Sequence, residues 1–170
     1  DVIPGIISLS DLQKIITNLL QEGIPIKDME GILETLGERG SAIKDTDMLT
    51  EYVRQRLKRT ITRKFSDGKS IKVITLDQRL EDIILNSAKR NEHGTYLAIE
   101  PEVVQRIIES VTKQVEKIKD IVSQPIILTS PVVRIYFKRL ISQFFPNLVV
   151  LSFNEIEPNI QIQAIGVVQE

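Results

Sequence analysis

Apolar positions in the first 65 residues recur at helical intervals. Leu12, Ile15, Ile16, Leu19 and Leu20 follow at helical spacing. Ser10-Asp11-Leu12-Gln13 has the form of a capping box and predicts the start of this helix, and Gly23 predicts its end. A second helix is predicted from Asp28 to Leu36, with Met29, Ile32, Leu33 and Leu36 inward. Gly31 weakens it, since a mid-helix glycine costs about 1 kcal/mol relative to alanine. Gly37 and Gly40 mark a loop, and Asp45 or Thr46 caps a third helix that runs to Phe65 on the stripe Leu49, Val53, Leu57 and Ile61. The cluster Ser66-Asp67-Gly68-Lys69 is rich in turn formers and predicts a boundary. The chain is thereby divided into a three-helix subdomain, residues 1–67, and a second subdomain, residues 68–170.

Beyond that turn the period changes. Short β-branched runs at 72–76, 95–99, 125–129, 148–152 and 160–168 predict five strands. Between them lie a short helix over 80–88, a long one opened by Pro101, and one opened by Ser130-Pro131. The long helix carries Val104, Ile107, Ile108, Val111, Val115, Ile118 and Val122; the last carries Val133, Tyr136, Phe137, Leu140, Ile141 and Phe144. Strand, helix and strand over 125–152 predict a right-handed crossover between parallel neighbours. The loop from Asn154 to Asn159 is too short for such a crossover and predicts an antiparallel last strand. The expected class is α/β (α+β mixed): a three-helix subdomain, then an α/β subdomain with a mixed sheet of about five strands.

Composition narrows the chemistry. Hydrophobic residues are 42% and charged residues 26% of 170, an ordinary globular balance. Lysine plus arginine (22) nearly cancels aspartate plus glutamate (23), so no overall field draws the chain to nucleic acid or to an anionic membrane. The absence of cysteine removes disulfides, thiolate nucleophiles and cysteine metal sites, and the lone His93 removes a histidine cluster. No apolar run approaches the roughly 18 residues of a membrane span, and no signal peptide is visible. The opening Asp1-Val2-Ile3-Pro4 reads as the start of an excised piece.

Within the basic run from Arg54 to Lys64, a helical projection groups Arg56, Arg59 and Arg63 beside Tyr52, along the border of the Leu49 to Ile61 stripe. Arginine and tyrosine are enriched in protein interfaces, so this ridge is the candidate docking surface for an acidic partner; as a solvated face, the same stems would cover the core edge. The first two helices mimic a helix-turn-helix, but Asp28, Glu30 and Glu34 on the second would repel phosphate. Thr129-Ser130-Pro131 followed by Arg134 offers an anion-binding helix start, the basis of an alternative in which this is a small enzyme domain. It lacks wrapping glycines. His93-flanking Gly94 marks a turn, and Asn154, Glu155 and Glu157 match no calcium-loop spacing. No catalytic, cofactor-binding or metal-ligating residue is predicted, and no cofactor.

Taken in order, Val2-Ile3-Pro4, Leu9 to Leu20, Gly23 to Leu36, Leu49 to Gln55, Gly94-Thr95-Tyr96-Leu97, Ser130-Pro131-Val132-Val133-Arg134 and Leu151 to Ile156 form a pattern. It resembles the C-terminal cytoplasmic region of the export-gate family of type III secretion, over nearly the whole chain. Thr50-Glu51-Tyr52-Val53-Arg54 and Ser152-Phe153-Asn154-Glu155-Ile156 are closest to the flagellar branch, with the injectisome branch as the alternative. The resemblance implies the last two subdomains of a multi-pass inner-membrane protein, reached by the membrane only through an upstream region. It further implies a homo-oligomeric ring on the cytoplasmic face that receives export substrates, flagellar chaperone-substrate complexes and soluble export ATPase components. The family's chaperone groove lies largely upstream of Asp1, so no chaperone-binding residue is carried over.

Overall fold

The computed structural model describes residues 1–170 as two compact units. One comprises Asp1–Phe65 with Asn154–Glu157; the other comprises Ser66–Phe153 with Pro158–Glu170.

The first unit contains α1 (Leu9–Gln21), α2 (Met29–Arg39), α3 (Thr46–Arg56) and α4 (Lys58–Phe65). α1 begins at Ser8, whose hydroxyl accepts the Asp11 N–H at 3.0 Å, so the cap lies two residues before the predicted Ser10. It ends at Gly23, whose φ of 72° lets its own N–H reach Leu20 and the Ile24 N–H reach Leu19, satisfying the last carbonyls. Asp28 caps α2 by accepting the Gly31 N–H at 2.9 Å. A Cβ on Gly31 would stand 2.4 Å from the Asp28 carboxylate, so this glycine makes room for the cap. The helix continues through Gly37 to Arg39, past its predicted end at Leu36.

The single helix expected to reach Phe65 is two. Leu57 leaves helical geometry at φ −86° and ψ 21°, although its N–H still reaches Val53 and the Ile61 N–H reaches its carbonyl. Neither glycine nor proline stands nearby to announce the break. α3 packs against both α1 and α2. Ile15, Leu19, Ile32, Leu36, Leu49, Val53, Leu57 and Ile61 form the buried core of this unit.

The second unit runs β1 (Ser70–Leu76), α5 (Gln78–Ser87), β2 (Ala88–Asn91), β3 (Gly94–Leu97), α6 (Pro101–Ile118), β4 (Ile126–Thr129), α7 (Pro131–Ser142), β5 (Val149–Ser152) and β6 (Gln161–Val168). Its sheet has the order β5-β4-β1-β6, and every pairing is parallel. The α/β class is as expected, with two corrections to the mixed sheet of about five strands. β3 leaves the sheet and pairs with β2 in a separate antiparallel hairpin, turned at Gly94 with φ 115°. β6 is parallel, because it pairs with β1 at the far edge instead of returning beside β5. The register sets Gln161 level with Ser70 and Ser152 with Thr129. Recrossing three strand spacings and about six residue levels needs about 25 Å, within the roughly 30 Å that nine extended steps can span. No helix is needed for that return.

Ile74, Leu76, Ile127, Val150 and Val168 present one face of the sheet to Leu80 and Ile84 of α5, Ile107, Val111 and Ile118 of α6, and Val133, Phe137 and Ile141 of α7. Phe144, expected inward, lies beyond the end of α7 and is 47% exposed. No helix is long and apolar enough to cross a membrane.

Candidate protein-docking surface

Tyr52 and Arg56 stand on α3, Arg59 and Arg63 on α4, so the break at Leu57 divides the ridge between two helices. Each member has a different environment. Tyr52 is half-buried, and the Arg39 guanidinium lies 4.3 Å from its ring centroid, a cation–π contact that fixes the ring. Arg56 is exposed and its Nη2 meets the Glu34 carboxylate of α2 at 2.5 Å. Arg59 is 76% exposed, with its Nε 3.9 Å from Glu157. Arg63 is exposed and makes no ion pair. The ridge is therefore graded, from a locally neutralised cation at Arg56 to a free one at Arg63.

The opposite side of α3 carries a buried ion pair. Arg54, a member of the basic run that the helical projection leaves outside the ridge, is 1% exposed and forms a two-pronged pair with Glu155, from Nε at 2.7 Å and Nη2 at 2.9 Å. Its Nη1 also lies 3.5 Å from Glu22. Thr62 of α4 donates its hydroxyl to the Glu155 carbonyl and accepts the Glu157 N–H at 2.9 Å. The residues 154–157 thus lie clipped to α3 and α4 by side chains about a hundred positions earlier. Glu155, whose spacing to Asn154 and Glu157 matches no calcium loop, has its carboxylate consumed by Arg54.

The other sequence candidates acquire ordinary roles. The Ser130 N–H at the start of α7 donates to the Glu81 carboxylate at 2.9 Å, so the position that an external anion would take is held by the chain itself. His93 is exposed in the hairpin turn, where its N–H donates to the Asn91 side chain. Asp67 accepts the Ser70 and Lys69 N–H groups at 2.7 and 2.8 Å, and these bonds hold its carboxyl below the ordinary value. No group of three or more acidic, histidine or cysteine side chains is placed to hold a metal ion. What the first unit offers instead is exposed side chains for another surface: the arginine ridge, and on its other helices Leu9, Leu20 and Met29, at 68%, 54% and 36% exposure.

A family model described as the FHIPEP family matches residues 1–161. The chain belongs to the FHIPEP family. It is 41% identical over 169 residues to the flagellar biosynthesis protein FlhA of Bacillus subtilis, covering 99% of this chain and 25% of that protein. It is 36% identical over 162 residues to the low calcium response locus protein D of Yersinia pestis, covering 95% of this chain and 23% of that one. Among solved structures, the Chlamydia pneumoniae CdsV protein aligns with a TM-score of 0.88 at 40% identity, over 96% of this chain and 47% of that chain. A nonameric EPEC SctV-C structure aligns with a TM-score of 0.86 at 32% identity, over 96% of this chain and 49% of that one. The chain spans about a quarter of the length of these FHIPEP relatives and about half of the aligned structures.

Proposed function

We propose that this chain is a cytoplasmic docking and ring-forming module of a type III protein export gate, of the flagellar branch. The observation that carries the reading is the 41% identity to Bacillus subtilis FlhA over 99% of the chain. The module works by shape and charge. Its ring neighbours, export substrates, chaperone complexes and ATPase components meet it as protein surfaces, and the full protein reaches the inner membrane through segments outside residues 1–170. Nonameric assembly of the related SctV-C, and the Chlamydia pneumoniae CdsV structure solved in complex with CdsO, support a ring that binds further proteins. Tyr52, Arg56, Arg59 and Arg63 contribute to contacts between protomers or subdomains, Arg63 most directly because it is not neutralised locally. The two subdomains divide the work, with residues 1–67 giving the ridge and residues 68–170 the α/β body.

Replacing Arg56, Arg59 and Arg63 together by glutamate in the full-length protein tests this role. All three side chains are exposed, so the fold should survive with a melting temperature within a few degrees of the parent. Swimming and flagellar protein export should fall sharply. Normal swimming and normal ring assembly would remove the ridge from the account.

The 40% identity to CdsV favours a second reading, an injectisome gate. Secretion of injectisome cargo without restored motility, in strains lacking the corresponding native gate, would select it.

A further inference from the structure

The two edges of the sheet are not alike. β5 is four residues long, whereas β6 has eight, Gln161 to Val168, with no charged residue and no proline among them. An edge strand leaves the N–H and C=O groups of alternate residues without a ladder partner, and natural edges are commonly blunted by lysine, proline or shortness. β6 has none of those devices; its register shift opposite Val73 and Ile74 is the one irregularity. Ile165 and Val168 turn into the core, while Ile162 and Val167 are each 40% exposed and Ala164 is exposed between them.

Two arginines stand at the end of this strand. The Glu170 side chain lies between Arg79 of α5, at 3.4 Å from Nε, and Arg106 of α6, at 3.2 Å from Nη2. The Asp77 N–H donates to the Val168 carbonyl at 3.0 Å, so the carboxyl ends of β1 and β6 are joined just where the two guanidinium groups converge. Arg79 and Arg106 are 79% and 51% exposed, against 16% for Glu170. Pairs this exposed are weak and exchangeable. Glu170 therefore fills the position of a carboxylate that another chain can supply.

We propose that β6 and the Arg79–Arg106 pair form a docking site for an extended segment of a partner protein, one with apolar residues at alternate positions and an acidic residue at one end. The segment adds to the sheet as a further strand on β6. Its backbone meets the open edge, its apolar side chains cover Ile162 and Val167, and its carboxylate displaces Glu170 from the two arginines. Backbone pairing of this kind supplies affinity, and the alternate side chains with the terminal charge supply selectivity. A second copy of the chain fits less well, because β6 itself brings no acid within its eight residues to place on a neighbour's arginines.

The test uses a labelled ten-residue peptide of alternating valine and threonine that ends in two glutamates, added to the 170-residue chain. Anisotropy reads affinity, and amide NMR reads location. Shifts should concentrate on residues 161–168 and on the Arg79 and Arg106 side chains. Arg79→Glu with Arg106→Glu should weaken binding about tenfold or more, the loss expected for charge-assisted hydrogen bonds. Glu170→Gln should tighten it by about threefold, since a weakly held competing carboxylate is removed; a merely structural Glu170 would give no gain. Methylating the peptide's alternate backbone nitrogens, in the register that faces β6, should abolish binding. Shifts elsewhere, indifference to the double substitution, or unaltered binding by the methylated peptide would overturn the proposal. So would concentration-dependent self-pairing of β6 that excludes the peptide, or equal competition by inorganic phosphate. A chain that supports export yet ignores the peptide would sink this inference alone and leave the export-gate reading standing.

Discussion

At Arg54 a guanidinium that sequence shows only as the start of a basic run is 1% exposed and answered by Glu155, 101 positions later. Removing one partner of such a buried pair strands the other charge, whereas replacing both with apolar groups removes the cost together with the attraction. Glu155→Leu should accordingly destabilise the protein by about 3–5 kcal/mol in urea unfolding, and adding Arg54→Met should recover most of the loss. A loss under about 1 kcal/mol for the single variant would contradict the pairing. Nothing local marks Arg54 as the buried member of its run: the signal lies in a partner that only the tertiary fold brings near. Asp67 makes a smaller, pH-linked prediction. Its Ser70 and Lys69 N–H bonds favour the ionised form, so its carboxyl should titrate below 3.8, read from its side-chain carbon shift. With the folded value depressed, the turn's contribution is complete above the unfolded pKa and is lost as pH falls through the folded one. A midpoint at or above 3.8 would show that the turn does not hold the carboxylate.

At the scale of elements, periodicity located the helices well, because a buried stripe such as Leu49, Val53, Leu57 and Ile61 is written directly in the chain. Caps were less legible. Ser8 and Ser10 both precede the α1 stripe, and only the observed bond to Asp11 decides between them. Ser8→Ala should cost about 1 kcal/mol and Ser10→Ala almost nothing, measured by thermal unfolding; the reverse order would restore the capping box at Ser10. Strand direction was the main failure. A short loop excludes a helical crossover between neighbours, but β6 is no neighbour of β5, and sequence carries no mark of sheet order. β3 is misplaced for a related reason: the run at Thr95 has strand composition, yet its partner β2, Ala88-Lys89-Arg90-Asn91, has little, its first residue falling in the predicted helix and the other three in no predicted element.

For the whole molecule, the order of short segments along the chain carried the family, and the family model and relatives state it plainly. The candidate surface was partly legible. Tyr52, Arg56, Arg59 and Arg63 could be grouped from a helical wheel, but the Leu57 break and the pairing of Arg56 with Glu34 depend on neighbours that a wheel does not contain. The return of residues 154–157 to the first unit was not legible, because its anchors, Arg54 and Thr62, are remote in sequence. The proposed role of this chain is that of a part of a flagellar export gate. A Bacillus subtilis strain whose FlhA carries residues 1–170 in place of its own matching quarter tests that most directly, with exported flagellar protein measured in the medium. Export well above that of a strain lacking FlhA is the predicted result. A stable, membrane-located chimera that exports nothing would contradict it.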